Sequence, residues 1–375
     1  MPSIQKFDQP MTVLWVFSSF SHGGVETWLL SVKDYLRKEG VILKVLLTGP
    51  YDDKGINVLK NYGVQVFSIP YSFKKIGKFT VELNKLIREE EIDLLHDHGD
   101  FAGLIKFIPS LIIGFLRKKL IIHIHSSYRA VQVYNWKTPQ KKLTWLVSKI
   151  ICKFLNIKVA STSLKSLKEF GLDNYRNARV VYCGIRKDFF GIDKNQNKSR
   201  NILFCGRFDA EDRYGGYFNH KNHWFAVNVF KRIYEIDKTC SLIMIGGPLE
   251  RIQRVRSKIQ NEAFASNVKF IGEEFDVIKY FSQCDLLLFP SRHEGLGLVA
   301  VEAQCVGMKV LKSTDVPDEV IISNNVESLS LENSVEEWAI KGIEMIMKEV
   351  DYASIDKSKF HPSSSANMLI DFYRE

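Results

Sequence analysis

Two glutamates and two glycines lie close together in one short stretch of the chain. Residues 290–303 read Pro-Ser-Arg-His-Glu-Gly-Leu-Gly-Leu-Val-Ala-Val-Glu-Ala, so that Glu294 and Glu302 flank Gly295 and Gly297. A turn that carries glycines lets backbone N–H groups approach a ligand closely, and a helix that follows the turn points its positive end at the same place. This pattern favours an anion site, most naturally one for phosphate.

The two carboxylates are suited to hold different parts of one long ligand. Eight residues along a helix span about 12 Å, so Glu294 and Glu302 are too far apart to share one proton as a catalytic dyad does. A nucleotide sugar carries hydroxyl groups on both sides of its diphosphate, and these groups need acceptors. The residues alone leave a second interpretation open, in which both glutamates are solvated and the glycines serve only as a turn.

The elements around this stretch follow the order strand, turn and helix. The apolar run 285–289 predicts a buried parallel strand, and residues 298–306 predict the helix that follows. Short apolar runs alternate with helical patterns elsewhere, for example at 12–18 and 201–205. Such alternation indicates parallel sheets with helices on both faces, in which ligands bind at the carboxyl ends of the strands.

Histidines mark the ends of two predicted strands in the first half of the chain. His98 follows the run that begins at Leu94, and His125 ends the predicted strand 120–125. Both should therefore line the same crevice, although a packing role is the commoner one for a histidine at a strand end. His123 is expected on the opposite side of its strand, buried in packing. Residues 102–115 predict one helix crossed by a proline.

Two further turns carry candidate ligand groups. Gly23 and Gly24 follow the first strand, but the spaced third glycine of the dinucleotide fingerprint is missing, which weakens an NAD-binding interpretation. Gly206 and Arg207 follow the strand 201–205, and Lys221 opens a predicted helix. An arginine and a lysine beside a helix N-terminus form a diphosphate clamp, which would stabilise the charge of a leaving group.

The positive charge of the chain is concentrated in its first half. The net charge is +9; residues 1–184 hold 27 Lys and Arg against 15 Asp and Glu, and the remainder holds 25 against 28. Between Asp100 and Glu169 there are 13 basic residues and no acidic one, interleaved with aromatic side chains. This composition favours contact with an anionic membrane or a phosphorylated acceptor, with a solvated basic face and a nucleic-acid surface as alternatives.

The remaining composition predicts a globular cytosolic protein. The six cysteines lack the paired spacing of a metal site, and most lie in apolar runs, which predicts buried thiols in a reducing compartment. The run 11–20 lacks a following cleavage site and is interpreted as a first strand, not a signal peptide. The run 104–116 is too short to span a bilayer. We expect a soluble or peripheral protein at the inner face of the cell membrane.

The motifs resemble those of one enzyme family. Glu294 and Glu302, with seven residues between them, resemble the donor-site signature of family-4 retaining glycosyltransferases of the two-Rossmann-domain (GT-B) type. Gly206-Arg207 and Lys221-Asn222 resemble the Gly-Arg and Lys-Asn elements of the same family. The polar insert 209–220 between them is longer than the usual connection, which leaves the role of this loop open.

The resemblance implies an α/β protein with the GT-B fold, in which two Rossmann-like doubly wound parallel-sheet domains face a central cleft. Residues 1–184 would form the acceptor domain, 185–360 the donor domain, and 361–375 a helix that crosses back onto the first. The implied reaction is retaining transfer from a nucleotide diphosphate sugar, as a UDP-sugar, to a lipid-linked glycan in surface polysaccharide (capsule) synthesis. Alternatives are a nucleotide-sugar epimerase on the same fold and a non-catalytic scaffold that binds membrane or nucleic acid.

The resemblance also assigns roles to residues. Catalysis would involve His125, Glu294, Arg207 and Lys221, while His98 would contact the acceptor. Glu294 would bind sugar hydroxyls, Glu302 the ribose, and His125 the sugar near the reacting carbon. The other donor contacts would come from Gly23, Gly24, Gly206, Ile271, Gly295, Leu296, Gly297 and Leu298. The chain contains no Asp-x-Asp motif, so we expect no metal and no cofactor, and we expect no nucleic-acid partner.

Overall fold

The computed structural model describes residues 10–18, 23–49, 53–116, 119–135, 138–192, 199–208, 220–272, 274 and 276–375. Ser21 and nearly all of the insert 209–220 lie outside the described residues. The chain divides into two compact units. The first runs to Arg186 and includes Ser358–Glu375, and the second spans Lys187–Lys357.

The first unit is a parallel sheet with helices. Its strands are β1 (Met11–Phe17), β2 (Val41–Leu47), β3 (Gln65–Ser68), β4 (Leu94–Asp97), β5 (Leu120–Ile124), β6 (Lys158–Ser161) and β7 (Ala178–Val180). Its helices are α1 (Gly24–Lys38), α2 (Asp53–Asn61), α3 (Ile76–Glu89), α4 (Asp100–Gly103), α5 (Ile108–Ile112), α6 (Tyr128–Asn135), α7 (Pro139–Phe154), α8 (Leu164–Glu169) and, from the chain end, α14 (Pro362–Arg374). Within the described residues the sheet has seven strands in the order β3-β2-β1-β4-β5-β6-β7.

The order of these strands fixes where a ligand crevice forms. The chain builds outward from β1 to β3 and then returns to the other side of β1 with β4, so the strand order reverses between β1 and β4. In open parallel sheets such a reversal leaves a crevice at the carboxyl ends of the two strands. All residues of β4 and β5 are buried, because helices cover both faces of the sheet, and this burial includes the polar residues His96, Asp97 and His123.

The single helix predicted over residues 102–115 is wrong. The structure has α4, a 3-10 turn over Leu104–Phe107, and then α5 in its place. Pro109 lies in the first turn of α5. A proline has no N–H to donate and is tolerated there, whereas in a helix interior it would clash with the preceding turn. The proline therefore starts a new helix where we had expected one to pass through it.

The carboxy-terminal helix α14 is bonded into the first unit. The indole Nε1 of Trp28 donates a hydrogen bond of 2.7 Å to Ser365 Oγ, which itself donates to the carbonyl of Tyr182 at 2.6 Å. A Cβ added at Gly184 would lie 2.9 Å from Cα of Pro362, so the absence of a side chain permits the close approach of α14. The chain end is thus part of the first unit.

The second unit repeats the same architecture. Its strands are β8 (Asn201–Cys205), β9 (Ser241–Ile245), β10 (Val268–Ile271), β11 (Leu286–Phe289), β12 (Lys309–Ser313) and β13 (Val326–Leu329). Its helices are α9 (His223–Ile236), α10 (Leu249–Ile259), α11 (Ile278–Phe281), α12 (Leu298–Cys305) and α13 (Val335–Met347). Within the described residues six parallel strands follow the order β10-β9-β8-β11-β12-β13, with a reversal between β8 and β11. The prediction of two doubly wound parallel-sheet units is confirmed.

Candidate active site

The reversal point of the second unit brings together residues that are far apart in sequence. Gly206 and Arg207 follow the end of β8, Glu294 follows β11, and Lys221 lies two residues before the start of α9. The ammonium Nζ of Lys221 lies 2.5 Å from Glu294 Oε1, and the two side chains are only 16% and 9% exposed. His220 Nε2 lies 3.6 Å from the same carboxylate oxygen. A carboxylate and a cation thus meet where the fold leaves a crevice.

The carboxyl group of Glu294 is ionised at neutral pH. Burial by itself would raise the pKa of Glu294, but the ammonium of Lys221 and the imidazole of His220 outweigh burial and hold that pKa well below its ordinary value. A paired and ionised carboxylate of this kind is an acceptor for hydroxyl groups, and its lysine is a mobile cation suited to phosphate. The two groups that the sequence assigned to different parts of one ligand therefore neutralise each other here.

Packing positions the lysine from two sides. A Cβ added at Gly206 would lie 2.9 Å from Cγ of Lys221, so a glycine is needed for the lysine stem to pass. The Nζ of Lys221 also lies 5.2 Å from the ring centroid of Phe289, a favourable cation–π distance. Arg207 is exposed, and among the described residues it forms no ion pair. Lys221 is thus paired with Glu294, and the diphosphate clamp of Lys221 and Arg207 stays a prediction.

The glycine turn that follows Glu294 begins α12. Gly297 has φ +100°, in the left-handed region that favours glycine, and it caps α12, whose first residue is Leu298. Leu296 is buried, and Glu302 is half-buried in the second turn of α12. Burial raises the pKa of the Cys205 thiol to about 12, with Glu302 adding to the rise and Lys221 opposing it. The charges of Glu302 and Lys221 therefore both act on Cys205, the last residue of β8.

The remaining predicted donor contacts are placed as follows. Ile271 ends the edge strand β10, and its carbonyl accepts a hydrogen bond from the N–H of Gly246 at 3.2 Å. Gly23 and Gly24 belong to the first unit, where the carbonyl of Gly23 accepts from the N–H of Thr27 at 3.1 Å as α1 begins. Gly295 lies on the turn between Glu294 and α12.

Four histidines gather at the reversal point of the first unit. His98 and His125, each just past the end of its strand, meet with Nδ1 and Nε2 2.8 Å apart. His96 Nε2 and His123 Nδ1 lie 3.0 Å apart. The rings of His123 and His125 are stacked with centroids 4.0 Å apart. We call His96, His98, His123 and His125 the histidine cluster.

The placement predicted for His123 is partly wrong. It is fully buried, as expected, but its side chain lies on the same side of β5 as that of His125, against which it stacks. Side chains alternate along a strand with a period of two, so residues 123 and 125 share a face. The same rule joins His96 and His98, whose ring centroids are 4.4 Å apart. The two His-x-His pairs in the sequence, at residues 96–98 and 123–125, could therefore have predicted this cluster.

Burial keeps the histidine cluster neutral. It lowers the pKa of His125 to about 3, and it lowers those of His96, His98 and His123 well below the ordinary value, with neighbouring histidines adding to the effect. Asp100 accepts a hydrogen bond from the backbone N–H of His125 at 3.0 Å. Burial raises the pKa of Asp100 to about 7. Neutral imidazoles can each donate one hydrogen bond and accept one.

The histidine cluster fits a hydrogen-bond network better than a metal centre. One ligand atom from each of His96, His98 and His123 lies within 4.8 Å of the others. However, both ring nitrogens of His96 already form hydrogen bonds, with Tyr373 Oη at 2.8 Å and with His123.

Sequence reasoning missed several residues that surround this cluster. Lys106 and Asp97 form an ion pair of 2.7 Å with side chains 3% and 0% exposed. Tyr373 reaches His96 from a position 277 residues away. A lysine in an apolar run with a nearby acidic residue was a weak signal for the ion pair. Nothing in the sequence pairs a tyrosine of the last helix with a histidine of β4.

Comparison with known families covers both units. The family described as Glycosyltransferase Family 4 matches residues 22–189, and the family described as Glycosyl transferases group 1 matches residues 199–348.

Within the described residues, no helix combines the length and the apolar character that crossing a membrane requires.

Individual relatives extend over most of the chain. The capsular polysaccharide biosynthesis glycosyltransferase CapH of Staphylococcus aureus is 24% identical over 373 residues, which are 96% of this chain and 98% of CapH. A protein from the cps region of Klebsiella pneumoniae is 29% identical over 262 residues, which are 65% of this chain and 63% of that protein. HepE of Anabaena, solved in complex with UDP-glucose, superposes with a TM-score of 0.71 at 15% identity over 97% of each chain. The chain therefore belongs to the family-4 glycosyltransferases of the GT-B fold.

Proposed function

We propose that this enzyme transfers a sugar from a nucleotide diphosphate sugar, a UDP-sugar, to an acceptor hydroxyl with retention of configuration. The observation that carries the proposal is the buried Lys221–Glu294 pair at the reversal point of the second unit. HepE, which has the same fold, was solved with UDP-glucose, and this supports a uridine nucleotide as the donor.

The pair offers the donor one group of each kind that it needs. The diphosphate would take the ammonium of Lys221, and a sugar hydroxyl would take the carboxylate of Glu294, so both groups exchange one partner for another. The positive end of α12, which begins after Gly297, adds to the stabilisation of the phosphate. Glu302 would accept from the ribose. The ammonium of Lys221 stabilises the leaving diphosphate more strongly as that group gains its full negative charge. This arrangement therefore favours the transition state over the bound substrate.

Transfer with retention follows from attack on the face that the diphosphate leaves. The bond between the anomeric carbon and the phosphate oxygen breaks, the bond to the acceptor oxygen forms on the same face, and the acceptor proton passes to the departing phosphate. His125 would contact the sugar near the reacting carbon, and His98 the acceptor. We propose that no metal or cofactor takes part, since Lys221 can supply the neutralising charge, with Arg207 as a second cation.

Turnover of UDP-sugars tests the proposal. Labelled UDP-glucose and related donors are incubated with the enzyme, with and without a chelator, and UDP release is followed together with the anomeric configuration of the product by NMR. We expect UDP release that persists in chelator and an α-linked product from an α-linked donor. Return of an epimerised nucleotide sugar would identify an epimerase, and binding without turnover would identify a scaffold.

Variants locate the activity in the proposed site. Lys221→Ala and Glu294→Gln should each reduce the rate about 100-fold or more, the loss typical of removing one group that stabilises transition-state charge. Lys231→Ala is the control, because Lys231 forms an exposed ion pair with Glu262 on the same unit. Normal turnover in either site variant would contradict the proposed site.

We also propose that the acceptor is a lipid-linked glycan and that the first unit docks on an anionic membrane. The helix α7 supports this partner, because it has an exposed apolar stripe. Leu143, Val147, Ile150 and Phe154 follow one another at helical spacing and are all exposed, Ile150 by 67% and Phe154 by 82%. Exposed lysines adjoin the stripe: Lys141, Lys142 and Lys153. An apolar stripe bordered by lysines is the pattern of a helix that lies at the surface of an anionic bilayer.

Vesicle binding tests this partner. The full-length protein is sedimented with phosphatidylglycerol vesicles and with phosphatidylcholine vesicles at low and high salt. We expect binding to the anionic vesicles that weakens with salt, and at least a tenfold loss, about 1.4 kcal/mol, in the triple variant Leu143→Ser, Ile150→Ser and Phe154→Ser. Phe73→Ser is the matched control, since Phe73 is 70% exposed in the same unit but outside α7. Equal binding of the triple variant and the control would overturn the assignment of α7.

A further inference from the structure

Tyr373, near the end of α14, is joined to the histidine cluster by a continuous chain of hydrogen bonds. The indole Nε1 of Trp15 lies 3.0 Å from Tyr373 Oη, and the same oxygen lies 2.8 Å from His96 Nδ1. His96 Nε2 in turn lies 3.0 Å from His123 Nδ1. All four side chains are buried, so none of these bonds competes with bulk water.

The chemistry of the first donor gives this chain a direction. An indole N–H can only donate, so Tyr373 Oη accepts from Trp15 and has its own proton left to give. The acceptor within reach of that proton is Nδ1 of His96. A neutral imidazole that accepts at Nδ1 carries its proton at Nε2, and His96 therefore donates to Nδ1 of His123. By the same rule, His123 carries its proton at Nε2.

Each link depends on the imidazoles being neutral, and their burial provides this condition. A doubly protonated imidazole donates at both nitrogens and has no acceptor nitrogen left, so donors and acceptors could no longer alternate along the chain of hydrogen bonds. Burial holds the pKa values of His96 and His123 well below the ordinary value. Tyr373 also keeps its proton, because burial raises the pKa of its phenol.

We infer that Tyr373 is a positioning residue that fixes the tautomers of His96 and His123, so that the chain ends in an N–H donor at His123 Nε2 beside His125. Among the described residues, His123 Nε2 is buried and has no hydrogen-bond partner. The ring of His123 stacks on that of His125 at 4.0 Å. The donor end of the chain is thus held next to the imidazole that we propose meets the sugar.

The direction matters for the polarity of the surroundings of His125. His123 is fully buried, so its N–H acts on the ring of His125 that stacks against it and not by direct contact with a substrate. The reversed chain would place a nitrogen lone pair beside that ring instead. The last helix therefore contributes to the chemistry of a site whose other residues lie on β4 and β5. This consequence rests on the proposed transfer reaction, but the tautomers themselves do not.

Nitrogen-15 NMR of histidine side chains tests the tautomers directly in the full-length protein. Two-bond proton–nitrogen correlations distinguish Nε2–H from Nδ1–H, and assignment comes from single histidine replacements. In the unaltered protein we expect Nε2–H at both His96 and His123. In Tyr373→Phe the donor to His96 Nδ1 is lost, and we expect a population with Nδ1–H at both histidines. Tyr175→Phe is the control, because its hydroxyl donates to the carbonyl of Ile157 at 2.9 Å in the same unit, and it should keep the original tautomers.

A kinetic measurement separates the positioning role of Tyr373 from an effect on donor binding. Tyr373→Phe should lower kcat for transfer by about tenfold or more, while the affinity for UDP stays unchanged because Lys221 and Glu294 lie in the second unit. Nδ1–H at His123 in the unaltered protein would overturn the inference without any variant, and so would unchanged tautomers in a folded Tyr373→Phe protein. Absence of transfer by the unaltered enzyme would instead count against the proposed function and leave the NMR result to decide the inference.

Discussion

Lys221 and Glu294 are each buried more deeply than a lone charged side chain tolerates, and each is stabilised by the other. They lie 73 positions apart in sequence and 2.5 Å apart in space. Taking two charges out of water is costly, and the mutual attraction compensates only while both partners remain. A ligand that offers a phosphate to the lysine and a hydroxyl to the carboxylate could therefore replace the contact between Lys221 and Glu294 without leaving either group unpaired.

The first residue-scale prediction concerns the coupling of this pair. Lys221→Met leaves a buried carboxylate without its cation and should cost about 3 kcal/mol in the free energy of unfolding. Adding Glu294→Gln should recover part of that loss, with a coupling energy of about 1–3 kcal/mol. Urea unfolding of the two single variants, the double variant and the parent protein measures the cycle. Additive effects would show that the two charges do not depend on each other.

The second residue-scale prediction concerns pH. The folded-state pKa of the clustered histidines lies below the unfolded value, so the unfolded chain takes up protons first as the pH falls. The stabilisation is present above about pH 6.5 and is lost below it, by up to about 1.4 kcal/mol per pH unit for each histidine. Urea unfolding between about pH 7 and pH 5 measures the slope. A free energy of unfolding that is constant over this range would contradict the burial of neutral histidines.

Asp100 should act in the opposite sense. Its folded-state pKa of about 7 lies above the ordinary value of about 3.9, so between these values the folded protein binds the extra proton and gains stability as the pH falls. Asp100→Asn removes that opposing contribution while keeping an oxygen acceptor for the N–H of His125. We therefore expect the acid-induced loss of stability to be steeper in Asp100→Asn than in the parent protein.

At the scale of single elements, the start of α12 shows how backbone and site are coupled. The helix begins directly after Gly297, whose left-handed φ turns the chain from the loop of Glu294 into the helix. A Cβ at this position would lie 3.1 Å from Cε1 of Phe289 and 3.2 Å from Cγ1 of Val316. The glycine thus serves both the backbone turn and the close approach of β11.

The element-scale prediction follows from that geometry. Gly297→Ala should cost about 1–2 kcal/mol in stability, the cost of a left-handed conformation for a residue with a Cβ, and should weaken UDP binding because the end of α12 shifts. Thermal unfolding with and without UDP measures both effects. Gly77→Ala is the control, since nothing lies within 4 Å of its added Cβ and alanine within α3 should be neutral or stabilising by up to about 1 kcal/mol. Equal behaviour of the two variants would remove the special role of Gly297.

At the scale of the whole molecule, the chain end is built into the unit that the chain start forms. Ser365 on α14 accepts from Trp28 of α1 and donates to the carbonyl of Tyr182, and Tyr373 of the same helix reaches Trp15 and His96. The last helix therefore connects the first βα segment, β4 and the segment after β7. The basic charge of residues 1–184 and the exposed stripe of α7 belong to this same unit.

The whole-molecule prediction tests whether a substitution that destabilises the first unit leaves the unfolding midpoint of the second unit unchanged. Ser365→Ala leaves a buried indole N–H and a carbonyl without a partner and should destabilise the first unit by about 1–3 kcal/mol. The transition of the second unit, identified as the one that UDP raises by mass action, should keep its midpoint. Differential scanning calorimetry measures both, and Ser364→Ala on the same helix is the matched control. A UDP-responsive transition that falls with Ser365→Ala would contradict this separation.

The sequence by itself determined the architecture and the local grouping of the residues of the predicted donor motif. A mostly apolar run of seven residues marks β1, because a parallel strand covered on both faces is largely apolar. Glu294, Gly295, Gly297 and Glu302 lie within one strand-turn-helix unit, so local chain geometry already placed them near one another. The helix predicted across Pro109 and the side assigned to His123 were wrong, and in both cases local rules already pointed to the observed structure.

Only the tertiary structure decided which distant residues meet. The Lys221–Glu294 contact and the burial of the histidine cluster depend on strand order, which brings β8 beside β11 and β1 beside β4, and no local pattern encodes that order. The hydrogen bond between Tyr373 and His96 depends on the docking of α14, 277 positions along the chain. Local sequence sets backbone propensity and the direction of neighbouring side chains, whereas partners across the chain are selected by the packing of complete elements.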